Sequence, residues 1–204
     1  MRDLPVGLPS EIVPLSWLLG VWEGSGVLEY QIGEESVSRT FGHRLSFSHD
    51  GLPYLNYNSY TWLEPESGAE GDEKTPLATE TGYWRLSRPQ TNGDPGPGLL
   101  PGDGDRPFTT TDAVETLRNA AGGFDIEVVL AHPSGLAELY LGQVKGPRID
   151  LATDAVVRTA GAKPYAAATR LYGLVDNHLL WAWDIAALGQ TLRTHASGRL
   201  ARAE

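Results

Sequence analysis

Leu15-Ser-Trp-Leu-Leu-Gly-Val-Trp-Glu-Gly-Ser-Gly-Val27 decides how the rest of the chain is read. An apolar segment runs into three glycines spaced around one tryptophan, Gly20-x-Trp22-x-Gly24-x-Gly26. Glycine accepts backbone angles and close approaches that a side chain forbids. Tryptophan buries a large apolar area and keeps one N–H that needs a partner. The combination predicts a chain that leaves a short helix, bends tightly and enters a strand beside its neighbours. In a small β-barrel such a tryptophan closes one end. Read as a phosphate loop the motif fails, because no Gly-Lys-Ser/Thr follows it.

Upstream, Pro9-Ser10-Glu11 reads as a helix start with Ser10 as N-cap, the helix running to Leu19 and stopping at Gly20. Downstream, strand character begins near Val21, and Gly33 to Ser36 reads as a turn. Strands are then expected over Phe41 to Ser48, Tyr54 to Trp62 and Thr79 to Leu86, with Asp50-Gly51 as a hairpin signal. Residues from about 87 to 123 break this rhythm. Their Gly/Pro-rich runs carry too little apolar surface to order themselves, so the segment is expected to be a flexible insertion within one domain spanning 1–204. Strand spacing resumes over Phe124 to Leu130, Leu136 to Val144 and Arg148 to Ala152, with clear alternation in the first and third of these. It continues over Ala166 to Val175, Leu179 to Ile185 and Thr194 to Ala201, with Asp176-Asn177 as one of the turns. The pattern predicts an all-β fold, a closed antiparallel barrel of about ten strands after one short helix. Closure removes exposed edges, and a barrel of this size encloses one ligand.

The formal charge of -10 disfavours a phosphate backbone as partner, so no nucleic acid is expected. The absence of cysteine excludes disulfides, thiolate metal sites and cysteine nucleophiles, which fits a cytoplasmic protein. No apolar run is long enough for a membrane-spanning helix, and the N-terminus lacks the apolar core of a signal peptide.

Candidate chemistry is sparse. His49, His132 and His178 fall at expected turns and read as solvated, His43 reads as core or surface, and His195 lies in the expected closing strand. No His-x-x-x-His or His-x-His pair is present. Glu34-Glu35 and Asp103/Asp105 read as solvated surface, and no serine sits in a nucleophile elbow. If haem is bound, the single Met1 and the missing cysteines leave histidine, or less often tyrosine, as axial ligand, with no covalent attachment.

Taken together, several stretches resemble the nitrobindin family of haem-binding β-barrels. They are Pro14 to Gly26, Phe47 to Pro53, Thr79 to Tyr83, Val129 to Gly135 and Ala187 to His195. The resemblance implies a fatty-acid-binding-protein-like barrel holding one non-covalent haem b per chain. It also implies isomerisation of peroxynitrite to nitrate and binding of nitric oxide. It places the axial ligand, which is also the catalytic group, at His195, and further cofactor-binding positions at Thr40 and Lys163. Two positions depart from the family pattern: Tyr30-Gln31-Ile32 stands where relatives carry Tyr-Pro-Thr, and Ala78 stands where relatives carry histidine before Glu80-Thr-Gly. A haem-free carrier of a fatty acid or another small apolar ligand needs the same barrel but not His195. Either protein is expected to be a monomer or a homodimer.

Overall fold

The computed structural model describes residues 7–32, 35–65, 73–187 and 193–203. A 3₁₀ helix, Ser10–Leu18, leads into ten strands: β1 (Gly20–Ile32), β2 (Glu35–Ser48), β3 (Leu55–Leu63), β4 (Thr75–Leu86), β5 (Phe124–His132), β6 (Leu136–Lys145), β7 (Arg148–Arg158), β8 (Tyr165–Val175), β9 (His178–Ala187) and β10 (Arg193–Ala203). Each strand pairs antiparallel with the next, and β1 also pairs with β10, so the sheet closes into a barrel with no free edge. Asp176 and Asn177 both adopt positive φ, 49° and 59°, as a two-residue hairpin between β8 and β9 requires. No helix among the described residues is long and apolar enough to cross a membrane.

Alternation along the strands decides what faces inward. On β5, Phe124, Ile126, Val128 and Leu130 are buried while Asp125, Val129 and Ala131 are exposed. The lower barrel is filled by rings: Phe47 meets Tyr57 and Trp84 at 5.0 and 5.3 Å, and Trp84 meets Tyr172 edge-on at 5.2 Å. Pairs of this geometry contribute beyond the area they bury.

Because consecutive strands run in opposite directions, the turns β2–β3, β4–β5, β6–β7 and β8–β9 share one end of the barrel with the 3₁₀ helix. That end is closed. Ile12, Leu15 and Leu18 are fully buried against it. The Trp22 Nε1–H donates to the Leu18 carbonyl at 2.7 Å, and the Arg202 guanidinium lies 4.3 Å from the Trp22 ring. The end-closing role expected for Trp22 is therefore observed. Ser10 is not an N-cap: the helix makes no side-chain cap, and the Ser10 hydroxyl donates instead to the Thr109 carbonyl at 2.7 Å.

Thr109 belongs to the 87–123 segment, which lies under this closed end and not over the opposite mouth. Contrary to what its composition suggests, the segment carries two buried anchors. The Arg88 guanidinium is clamped by Glu11 of the 3₁₀ helix, 2.6 Å from Nε, and by Asp94, 2.7 Å from Nη1, with all three side chains almost wholly buried. A short helix, α1 (Thr111–Glu115), is capped by Thr110, whose Oγ1 accepts the Ala113 N–H, and it puts Val114 into the core. Arg88 and Asp94 thus pair with each other and with Glu11, while Asp103 and Asp105 are exposed, as the sequence suggests.

Candidate functional site

Beyond Trp22 and Leu200, the wall formed by β1 and β10 carries little side chain on its inner side. A Cβ on Gly26 would lie 2.3 Å from the Ser197 carbonyl oxygen and 2.6 Å from the Phe41 ring, and one on Gly198 would lie 2.7 Å from Trp181 Nε1. Glycine at these positions makes room for rings from the neighbouring strands. Phe41 and His43 on β2 reach across to Trp181 on β9, their rings 5.9 and 5.1 Å from the indole.

Beyond the aromatic floor a belt of polar side chains crosses the barrel. Arg170 on β8, 3% exposed, is its centre: Nη1 and Nη2 donate to the two oxygens of Glu80 on β4 at 2.8 Å each, and Nε donates to the Tyr140 hydroxyl at 3.0 Å. Nη2 also approaches Glu138 on β6 at 3.5 Å. The Tyr140 and Tyr165 hydroxyls both donate to Glu138 at 2.6 Å, the Tyr57 hydroxyl donates to Glu80 at 2.9 Å, and His132 Nε2 lies 2.8 Å from Glu138. Burial acts to raise the Glu80 carboxyl, but the guanidinium outweighs it and holds the group down at about 2. Burial acts likewise on Glu138, and the donors around it, His132 and Arg170 foremost, pull it below the usual carboxylate range. Ligand atoms of Glu80, His132 and Glu138 lie within 4.8 Å of one another, a spacing suited to a cation. The guanidinium is that cation: it spans both carboxylates from inside the cluster.

Next to the belt lies a chamber of about 70 Å³, bounded by His43, Ser59, Ala78, Glu80, Trp181 and Trp183 among others. Small-molecule sites commonly run to several hundred cubic ångströms. This one has room for a few heavy atoms and not for a macrocycle. His43 is 4% exposed in its wall. Its Nε2 shares a 2.8 Å hydrogen bond with the Ser59 hydroxyl, and its Nδ1 is buried without a partner. Burial pushes this imidazole down to about 4, with the charges of Glu80 and Arg170 pulling in opposite directions, so it is neutral at physiological pH.

Strand direction puts His195, at the start of β10, at the mouth end. It sits in a β-bulge, where the register with β9 shifts between Thr194 and Ala196. Bulges re-aim side chains, often next to sites of chemistry. The His195 ring meets Trp183 edge-on at 5.9 Å, and Trp183 itself lines the chamber. Thr40 and Lys163 are not brought there. Phe41 faces inward, so alternation turns Thr40 to the exposed outer side of β2, and Lys163 is exposed in the β7–β8 turn at the mouth end. Residues 188–192, which carry part of the family resemblance before His195, lie outside the described residues.

A haem group requires a nitrogen donor at the mouth, and ring faces around it. His195 supplies the first; Trp181, Trp183 and Phe41 supply the second. In its chemistry the donor set fits haem: His195 would hold the iron, and the neighbouring rings would pack against the macrocycle.

His132 departs from its expected place: it reads as solvated in the sequence, yet at 12% side-chain exposure it joins the belt. Arg170, Glu80, Glu138 and Tyr140 are not singled out by sequence reasoning. Parity is the available signal. Arg170 shares its strand face with Ala168 and Tyr172, and Glu138 shares one with Tyr140, so each charge is committed to the interior.

Residues 11–202 match the model of the THAP4-like, heme-binding beta-barrel domain family. The chain is 67% identical over 204 residues, the full length of both proteins, to a peroxynitrite isomerase of Clavibacter michiganensis. It is 52% identical over 198 residues to a peroxynitrite isomerase of Paenarthrobacter aurescens, covering 97% of this chain and 96% of that one. Among solved structures, the crystal structure of Rv2717c from M. tuberculosis matches with a TM-score of 0.66 at 26% identity, covering 99% of this chain and all of that one.

Proposed function

The chain belongs to the THAP4-like, heme-binding β-barrel family, and from that premise we propose that it is a haem-dependent peroxynitrite isomerase whose iron is held by His195. The observation that carries the assignment of the ligand is the β10 bulge, which presents His195 at the mouth beside Trp183. Peroxynitrite and nitrate have the same atoms and charge, so the rearrangement needs no external oxidant or reductant. When bound, haem b, one per chain and non-covalent, supplies a Lewis-acidic iron that activates peroxynitrite toward rearrangement.

The chain's own residues do the rest. Trp183 restricts the rotation of the His195 imidazole by packing against its edge. Phe41, Trp181 and Trp183 exclude water from the floor of the site, which strengthens electrostatic interactions there. The belt carboxylates are charged but engaged by Arg170, Tyr57, Tyr140 and Tyr165, so they offer no stray proton. Nitric oxide, small and uncharged, is the second ligand assigned to the same end. Lys163, exposed in the β7–β8 turn at the mouth end, is assigned to the rim of the site, whereas Thr40, on the outer face of β2, is not placed to reach a group held inside the barrel. The alternative, a haem-free carrier of a long apolar molecule, is disfavoured by the polar belt and by the rings that fill the barrel beneath it.

Stopped-flow mixing of the haem-loaded protein with peroxynitrite tests the proposal. Decay should accelerate in proportion to protein concentration, with nitrate as the product. Decay at the rate of free buffer, or nitrite as the main product, would overturn it.

A further inference from the structure

Five side-chain atoms are buried without a hydrogen-bond partner among the described residues: Nε1 of Trp17, Trp84, Trp181 and Trp183, and Nδ1 of His43. Three of these residues, His43, Trp181 and Trp183, line the same small chamber. A tryptophan N–H can only donate. A neutral imidazole whose Nε2 takes a proton from the freely rotating Ser59 hydroxyl presents Nδ1–H as a donor as well. By contrast, the carboxylates nearby are already engaged by other donors. Both Glu80 oxygens receive Arg170, and Glu138 receives two tyrosine hydroxyls. A buried donor left unmade is costly. Trp181 Nε1 lies on the Gly198 side of its ring, so the unmet donor that matters is His43 Nδ1, and the size of the chamber beside that ring admits only a small acceptor.

We propose that the chamber is a subsite for a small planar oxyanion of the nitrate type, and that His43 Nδ1–H is the donor that holds it. The inference rests on the isomerase reading for the identity of the anion, since nitrate is the product of that reaction. It does not rest on that reading for the donor set. A neutral His43 gives a hydrogen bond to an anion without donating its proton outright, so the product leaves as the free anion. Ser59 and Trp181 fix the ring from its other sides, the indole standing edge-on at 5.1 Å. His43 is thus a substrate-contacting residue distinct from the axial ligand.

The probe is sodium nitrate, titrated into the haem-free and the haem-loaded protein and read by calorimetry, with tryptophan fluorescence as a second readout in the haem-free protein, where Trp181 and Trp183 line the chamber. Both forms should bind nitrate saturably. His43→Phe, which keeps a ring against Trp181, should bind about tenfold more weakly, as expected for one hydrogen bond to a charged acceptor. His43→Gln, which restores an N–H donor, should recover part of the loss. A thermal melt of each variant shows that the fold is retained. Nitrate affinity unchanged in His43→Phe, no saturable binding in the wild type, or loss of nitrate binding once haem is loaded would each overturn the proposal. If nitrate binds as expected but peroxynitrite is not isomerised, the isomerase reading fails and the oxyanion subsite stands. If isomerisation proceeds and nitrate binding ignores His43, the reverse holds.

Discussion

Replacing Arg170 with methionine keeps the volume of the side-chain stem and removes the guanidinium that the belt is built around. In the wild type that group makes two 2.8 Å contacts with Glu80, one at 3.0 Å with Tyr140 and a longer one at 3.5 Å with Glu138. Without it two buried carboxylates face each other with only tyrosine hydroxyls and His132 to answer them. Breaking a buried ion pair on one side costs about 3–5 kcal/mol, a large part of the roughly 5–15 kcal/mol that holds a typical domain together. Urea unfolding at pH 7 should therefore show an unfolding free energy lowered by that amount, read as a lower midpoint at unchanged m. The pH dependence fixes the cause. Arg170 holds Glu80 at about 2 in the folded protein, against 4.5 in a free chain. The stability this contributes is present above about pH 4.5 and is lost as pH falls toward 2. The gap between wild type and variant should accordingly narrow as pH falls through that window. The double variant Arg170→Met with Glu80→Gln should recover part of the loss, because the orphaned charge goes with its partner. A loss below about 1 kcal/mol, or a loss that is the same at pH 7 and pH 3, would refute the belt as described.

Other parts of the barrel respond to substitution in their own ways. Arg88→Met should cost about 3–5 kcal/mol by stranding Glu11 and Asp94, and limited proteolysis should then cut first within 87–123, which the cluster pins beneath the closed end. Gly26→Ala places a methyl against the Ser197 carbonyl and the Phe41 ring, an overpacking of about 1–3 kcal/mol readable as a lowered melting temperature. His43 is held at about 4 in the folded state against 6.5 in a free chain, so protonation favours the unfolded chain. Wild-type stability should rise with pH between about 4 and 6.5, and His43→Phe should flatten that slope in urea titrations across the same range.

The fold is largely legible in the sequence. Gly24 and Gly26 have to be glycine because no side chain fits where β1 crosses β10 and Phe41 folds inward, and Trp22 caps the closed end. Strand alternation identifies the inner faces of β5 and of the first half of β7. Of the proposed site, His195 is marked in the sequence only by the family resemblance, since a lone histidine in a closing strand reads as structural. Its bulge is a register shift that no residue in the sequence marks. The belt is hidden for a different reason. Arg170, Glu80, Glu138 and His132 lie on four strands, Arg170 and Glu80 being 90 residues apart, and nothing next to any of them in the sequence marks it as one of a set. Only closure of the barrel brings them face to face. The 87–123 segment misleads by composition, since Arg88 and Asp94 count as polar residues while serving as buried anchors.

One bond, from the His195 imidazole to iron, carries the proposed chemistry. Titrating hemin into the wild-type protein and into His195→Ala, and recording the Soret region, tests it directly. The wild type should develop a shifted, saturating band at one haem per chain, and the variant should give only the broad spectrum of loosely associated hemin. The same saturating band in both proteins would remove His195 from the iron and contradict its assignment as the axial ligand.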